Sequence, residues 1–249
     1  MKSQPILYIF NISHYCEKAL WALDYFGIEH ETRHVMVGAH RHIAKKLGAK
    51  RGSVPFLQTV DGVIAGSSAI IDWCELHNAG KRPSLSGADP EAVRAIEKRL
   101  DDVVGVHVRR FYYSDALINS PASVRPIFSN GLPILQRAAV TLGWSRIVQL
   151  MIKAMDLGVE QGLQSRAVVE AELDWLDGLL ADGRPYLHGN QWTRADLTAA
   201  ALLGPLATPK EHHLTEKIFV PNNVRIAIKD WEQRPALQFV SRMYSTHRV

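Results

Sequence analysis

Residues 53 to 75 read SVPFLQTVDGVIAGSSAIIDWCE, and the fold turns on how that stretch divides. Proline cannot donate a ladder hydrogen bond, so Pro55 belongs at the start of a strand running on through Phe56 and Leu57. Asp61-Gly62 lies between two apolar runs, the pattern of a tight hairpin in which both turn residues take positive φ. Ser67 and Ser68 precede Ala69-Ile70-Ile71 and predict a capped helix. Its first amides would form a donor cluster suited to a carboxylate or phosphate. An ordinary hairpin packed on a helix, with no ligand, satisfies the same pattern.

Upstream, Ile6 to Asn11 is a short apolar strand, and Ser13 to Phe26 is helical, with Ala19, Leu20, Leu23 and Phe26 on one face and Gly27 ending it. His30 to Met36 predicts a second strand and Arg41 to Leu47 a short basic helix. With the hairpin and its helix the order is βαβαββα, which fits a thioredoxin-like domain. Ala79 to Pro90 shifts to Gly, Pro, Ser and Lys and marks a linker. Beyond it nothing reads as a strand. Glu91 to about Leu117 is one helical pattern started by Asp89-Pro90; Ser120 to Pro133 interrupts the helices; Ile134 to Ser165 and Arg166 to Asp182 are further helices. Thr193 and Asp196 have capping-box spacing ahead of the apolar helix Leu197 to Leu206.

Val54-Pro55, the Ser67-Ser68-Ala69-Ile70 step and the Thr193-x-x-Asp196 box together resemble the glutathione transferase superfamily over nearly the whole chain. The resemblance implies an α/β thioredoxin-like N-terminal domain over residues 1–82 and an all-α helical domain over 90–249. It implies a cis Val54-Pro55 bond whose exposed backbone pairs with the cysteinyl part of glutathione, and a γ-glutamyl grip at Ser67 and Ser68. Gly66 stands where the family usually has Glu, Gln or Asp, so one side-chain contact is missing. The Thr193/Asp196 box is structural in the family. A homodimer is a further family expectation.

Ser13-His14-Tyr15-Cys16 sits at the junction of the first strand and first helix. With Ser13 as N-cap, Cys16 is the third helical residue, where the helix dipole favours thiolate over thiol. Two catalytic readings follow. Ser13 donates to the thiolate of bound glutathione, or Cys16 is itself a redox nucleophile that forms a mixed disulfide. In a third, Ser13 only caps the helix and Cys16 is a small buried hydrophobe. The resemblance places the active residue at Ser13 and aligns Cys16 with the resolving position of glutaredoxins. Tyr8 aligns poorly with tyrosine-type members.

His40, Arg41, Lys45, Lys50 and Arg51 cluster before Pro55. Family members use a basic residue in this region for the glycyl carboxylate, which makes Lys45 and Arg51 candidates; a solvated charged face is the alternative. Positions 106, 110 and 113 share a helical face. The resemblance puts that helix along the cleft, so His107, Arg110 and Tyr113 are co-substrate candidates, with interhelix packing as the alternative. Residues 119–150 are longer than a simple helix connection and are expected to cap that cleft.

Composition narrows the classes. The chain has 249 residues, 47% hydrophobic and 22% charged, enough for substantial cores. A net charge of +4, with no basic face interleaved with aromatics, predicts no nucleic acid partner. No run reaches a membrane span, and two cysteines without a charged, apolar leader predict a reduced, cytoplasmic protein. The 11 histidines, including His40-x-His42 and His212-His213, lack a ligand constellation, so no metal is expected. No Gly-rich phosphate loop or G-x-S-x-G elbow appears. The expected activity is that of a glutathione S-transferase-like detoxification enzyme, glutathione thiolate attacking a small hydrophobic electrophile. The alternatives are a glutathione-dependent thiol-disulfide reductase using Cys16, and a non-catalytic binding or scaffold protein.

Overall fold

In the computed structural model, which describes residues 4–78, 80–215 and 217–248, strand β1 (Ile6–Ile9) organises the N-terminal part of the chain. It lies between β2 (Glu31–His34), to which it is parallel, and β3 (Phe56–Thr59), to which it is antiparallel; β4 (Gly62–Ala65) closes the sheet in the order β2-β1-β3-β4. Alternation sends Leu7 and its partner Leu57 to one face and Tyr8 and its partner Phe56 to the other. Tyr8 stacks on Phe56 at 4.7 Å and joins Val35 and Ala44 in a cluster under helix α2 (Ala39–Lys46). Helices α1 (His14–Tyr25) and α3 (Ser67–His77) pack on each other, burying Ala19, Ala22, Leu23, Ile70, Ile71 and Cys74 completely. Leu23, Ile70 and Ile71 each contribute about 1.5–3 kcal/mol when they leave water. The predicted order βαβαββα is the observed one.

The hairpin is shifted by one residue from the sequence expectation. Thr59 and Gly62 form the closing pair, so Val60 and Asp61 are the loop, and Gly62 rather than both turn residues carries positive φ (132°). The Thr59 hydroxyl explains the choice: it donates to Gly62 O at 3.1 Å and accepts from Asp61 N at 3.2 Å. At α3 the cap also moves. Gly66 is the N-cap, at φ 100° and ψ 144°, and Ser67 and Ser68 are the first two helical residues.

The chain divides into two compact units, residues 1–83 with 125–147, and residues 84–124 with 148–249. Ala79, which opens the expected linker, lies outside the described residues. In the second unit Asp89 accepts from Ala92 N at 3.1 Å and starts α4 (Pro90–Arg99), which continues through a π-helical turn (Leu100–Val104) into α5 (Gly105–Asn119). Ser120 to Pro133 does not simply interrupt the helices: it holds α6 (Pro121–Ser129) with Pro126 inside. The next helices are α7 (Ile134–Met155) and α8 (Val159–Leu180), so the break falls at 156–158, not between Ser165 and Arg166. Asp156 takes φ 51° there, a left-handed conformation that Asp tolerates better than most residues.

Helix α9 (Arg194–Ala207) is the core of this unit, and α5, α10 (Asn222–Trp231) and α11 (Pro235–His247) pack against it. Its capping box forms as expected: the Asp196 carboxylate accepts from Thr193 N (2.8 Å) and Leu187 N (2.7 Å). At its first residue, Arg194 makes an ion pair of 2.6 Å with Glu97 that is almost wholly withdrawn from water.

Candidate functional site

The register of β3 explains why distant residues meet. Tyr8, near the end of β1, pairs with Phe56, and Phe56 pairs with Ala65. The end of β1, the start of β3 and the end of β4 therefore share one end of the sheet. Three chain segments continue from that end: Phe10 to Ser13 into α1, Val54-Pro55 into β3, and Gly66-Ser67-Ser68 into α3. The Val54-Pro55 bond is cis. Gly66 N donates to Pro55 O at 3.0 Å and ties the third segment to the second. Lys18 Nζ donates to the Ser68 hydroxyl oxygen at 2.9 Å and ties α1 to the third segment. Val54 lies just before the ladder, which begins at Phe56.

Ser13 is the N-cap of α1, half-buried, with its hydroxyl oxygen accepting from Cys16 N at 3.4 Å and its carbonyl accepting from Cys16 N (2.8 Å) and Glu17 N (3.0 Å). Cys16 is buried, and burial pushes its thiol up to about 12; hydrogen bonds from the Ser13 side chain and Phe10 backbone pull downward but lose, and Glu17 adds to the rise. The direction is opposite to the one expected from the helix dipole alone. Moving a thiol from 9.0 to about 12 corresponds to about 4 kcal/mol, against the 0.3–1 kcal/mol a helix end usually supplies.

The remaining candidates are scattered. Lys45, on the last turn of α2, and Arg51, in the loop before Pro55, are both exposed. His40 packs edge-on against Phe10 at 4.8 Å, which brings it to the Ser13 end of the sheet; burial, then Arg41, lowers its pKa. Tyr8 faces α2, donating to Gln58 Oε1 at 2.9 Å and accepting from Arg33. Ile127, Phe128 and Asn130, from the 119–150 segment, share a small hollow with Phe10, Asn11 and Ile12.

In the second unit, His107 Nδ1 lies 3.1 Å from Ser165 Oγ, with its pKa lowered by burial and then by Arg110. Arg110 donates to Asp156 O at 2.9 Å and ion-pairs with the Asp156 carboxylate, so its charge is engaged at the α7–α8 turn. Tyr113 is buried edge-to-face against Tyr112, whose hydroxyl donates to Phe219 O at 2.7 Å.

Lys18 was not anticipated. A lysine is expected in water, yet this one is 0% exposed. The signal was present in its spacing: Lys18 stands one turn before Ala22, on the stripe that α1 buries.

A family model for the glutathione S-transferase N-terminal domain matches residues 7–82, and one for the C-terminal domain matches residues 137–238. The chain belongs to the glutathione S-transferase superfamily. Solved glutathione transferases share its fold. GSTFuA3 from Phanerochaete chrysosporium is 15% identical with a TM-score of 0.66, covering 99% of this chain and 98% of that one. The Tau class enzyme MiGSTU from mango, Mangifera indica, is 16% identical with a TM-score of 0.64, covering 100% and 92%. Maleylacetoacetate isomerase from Anaeromyxobacter dehalogenans, solved with dicarboxyethyl glutathione and citrate in its active site, is 20% identical with a TM-score of 0.54, covering 99% and 92%. No curated protein sequence matches the chain. Among the described residues, no helix is long and apolar enough to cross a membrane.

Proposed function

We propose that this glutathione S-transferase superfamily member binds glutathione at the shared end of its sheet and uses Ser13 to hold the thiolate. The observation that carries this reading is the convergence of the Ser13 cap, the cis Val54-Pro55 segment and the N-terminus of α3. The Val54 backbone would pair with the cysteinyl residue, and Ser67 and Ser68 with the γ-glutamyl carboxylate, at a helix end that favours anions. Exposed Lys45 and Arg51 would attract the glycyl carboxylate. The Ser13 hydroxyl would donate to the sulfur and lower its pKa, releasing the proton to solvent. The sulfur lone pair then forms a bond to an electrophilic carbon, and any leaving group departs with its electron pair. Phe10, Ile12, Ile127 and Phe128 line a small hollow beside this end of the sheet; the hydrophobic character of the electrophile rests on the superfamily resemblance. His107, Arg110 and Tyr113 are weaker co-substrate candidates, since their polar groups or faces already have partners. We further propose a homodimer in the cytoplasm.

The reductase alternative needs Cys16 as an accessible thiolate, and a buried thiol near 12 argues against it. Gly66 keeps the non-catalytic alternative open, because a customary ligand contact is absent.

Calorimetric titration of glutathione into the wild type and Ser13→Ala tests the reading. Binding to both, with the bound thiol pKa raised in Ser13→Ala, is expected. Absence of wild-type binding at millimolar glutathione defeats both enzyme readings, and an unchanged thiol pKa removes the role of Ser13.

A further inference from the structure

Lys18 occupies a place that needs a reason. Holding an ammonium out of water is unfavourable unless strong hydrogen bonds replace its hydration. The structure spends one of them on Ser68: Nζ donates to Oγ at 2.9 Å, from a side chain that is 0% exposed. Ser68 is the second residue of α3, inside the first turn, where the free amides of the helix lie. That turn contains no acidic residue, and its N-cap Gly66 brings no side chain. The bond therefore joins α1, which starts at Ser13, to the part of α3 that would meet a carboxylate.

We infer that Lys18 is a positioning residue for anion binding at the start of α3, acting through Ser68. The inference rests on the glutathione reading above and extends it to a residue that touches no ligand. A donor anchored in the packed body of α1 restricts the Ser68 rotamer, and its positive charge lies behind the helix N-terminus rather than in solvent. Both effects favour a γ-glutamyl carboxylate over a neutral group at this position. Lys45 and Arg51 differ in kind, since their exposed charges are screened by water and salt.

A double-mutant cycle separates this role from general support of the fold. Glutathione affinity is measured by calorimetry on wild type, Lys18→Met, Ser68→Ala and the double variant, with thermal melts run alongside. Ser68→Ala is expected to weaken glutathione binding about tenfold, the size of one charge-assisted hydrogen bond. Lys18→Met is expected to lose a similar factor, and the double variant no more than either alone. Lys18→Gln, which keeps a donor, should recover part of the loss, as a purely steric role would not. Independent losses that multiply in the double variant overturn the inference. If Lys18→Met does not fold, Ser68→Ala still decides: wild-type affinity in that variant overturns the inference and the Ser68 contact with it, while glutathione binding at this end of the sheet stands. Failure of the wild type to bind glutathione overturns both.

Discussion

Replacing Gly66 by alanine and by glutamine isolates the consequence of one backbone angle. Gly66 sits at φ 100° and ψ 144°, in a region that residues with a Cβ avoid. A Cβ built there meets nothing within 4 Å, so steric crowding contributes nothing and the whole effect is conformational. Such a conformation costs about 1–3 kcal/mol for a residue other than glycine. Relaxing it by rotating the peptide is opposed by two hydrogen bonds, Gly66 N to Pro55 O (3.0 Å) and Ile70 N to Gly66 O (3.1 Å). Each is worth about 0.5–1.5 kcal/mol, so escape saves little. At about 2–4 °C per kcal/mol for chains near this size, both variants should melt about 2–12 °C below wild type. They should then part company in a glutathione titration. Gly66→Ala gains no group and should bind no better than wild type. Gly66→Gln places an amide where the superfamily usually keeps Glu, Gln or Asp, and should bind about tenfold more tightly despite its lower melting temperature. A Gly66→Ala melt within about 1 °C of wild type would refute the backbone argument. Equal affinities in the two variants would refute the assignment of Gly66 to the γ-glutamyl end.

Four further outcomes follow from burial and backbone geometry. Cys16 and Cys74 both have thiols pushed up to about 12, so neither should react with iodoacetamide at pH 8 in the folded protein, and both should react after denaturation. The unfolded chain releases those protons near the ordinary value of 9.0 while the folded chain retains them, so stability should fall as pH rises from about 9 toward 12, read from urea midpoints. Arg194→Met leaves Glu97 buried without its partner and should cost about 3–5 kcal/mol, whereas Arg194→Met combined with Glu97→Leu should recover most of it; a double variant as unstable as the single would refute the desolvation argument. Gly131→Ala should destabilise more than Gly66→Ala, because it combines φ 77° with a Cβ only 2.5 Å from the His34 ring; a smaller melting-temperature drop would contradict that contact.

The parts of the fold legible in the sequence are those where periodicity and punctuation agree. Ile6 to Asn11 is a short apolar run, the Ala19/Leu23 stripe is closed by Gly27 at φ 62°, and Pro55 marks the start of β3, so the element order βαβαββα follows. Composition misled over Ser120 to Pro133. Pro121 stands in the first turn of α6, where its missing N–H is harmless, and a nine-residue helix accommodates Pro126, so a proline-rich stretch still folds helically. The break after Met155 was missed because Asp156 reaches the left-handed region without a glycine. Lys18 was passed over for a different reason: its charge suggested solvent while its helical position pointed inward, and position won.

The same competition governs Ser13 and Cys16, three residues apart at one helix end. From the sequence, both benefit from the α1 dipole, and nothing in the spacing separates them. The fold separates them by water. Cys16 faces the packed side of α1, where ionisation stays disfavoured by about 4 kcal/mol even after the hydrogen bonds of Ser13 and Phe10 have acted. Ser13 needs no charge of its own to act. A neutral hydroxyl at the half-buried cap can donate to a thiolate brought by a ligand, and on the proposed reading the ligand's sulfur would meet the same helix end from the solvent side, without the burial that disables Cys16. A thiolate that must be stabilised there is therefore better supplied by glutathione than by the chain. Ser13→Cys tests that reasoning directly: a thiol at the half-buried cap should titrate well below Cys16 and react with iodoacetamide at pH 8. If it instead stays as inert as Cys16, water access does not distinguish the two positions, and the argument for Ser13 loses its basis.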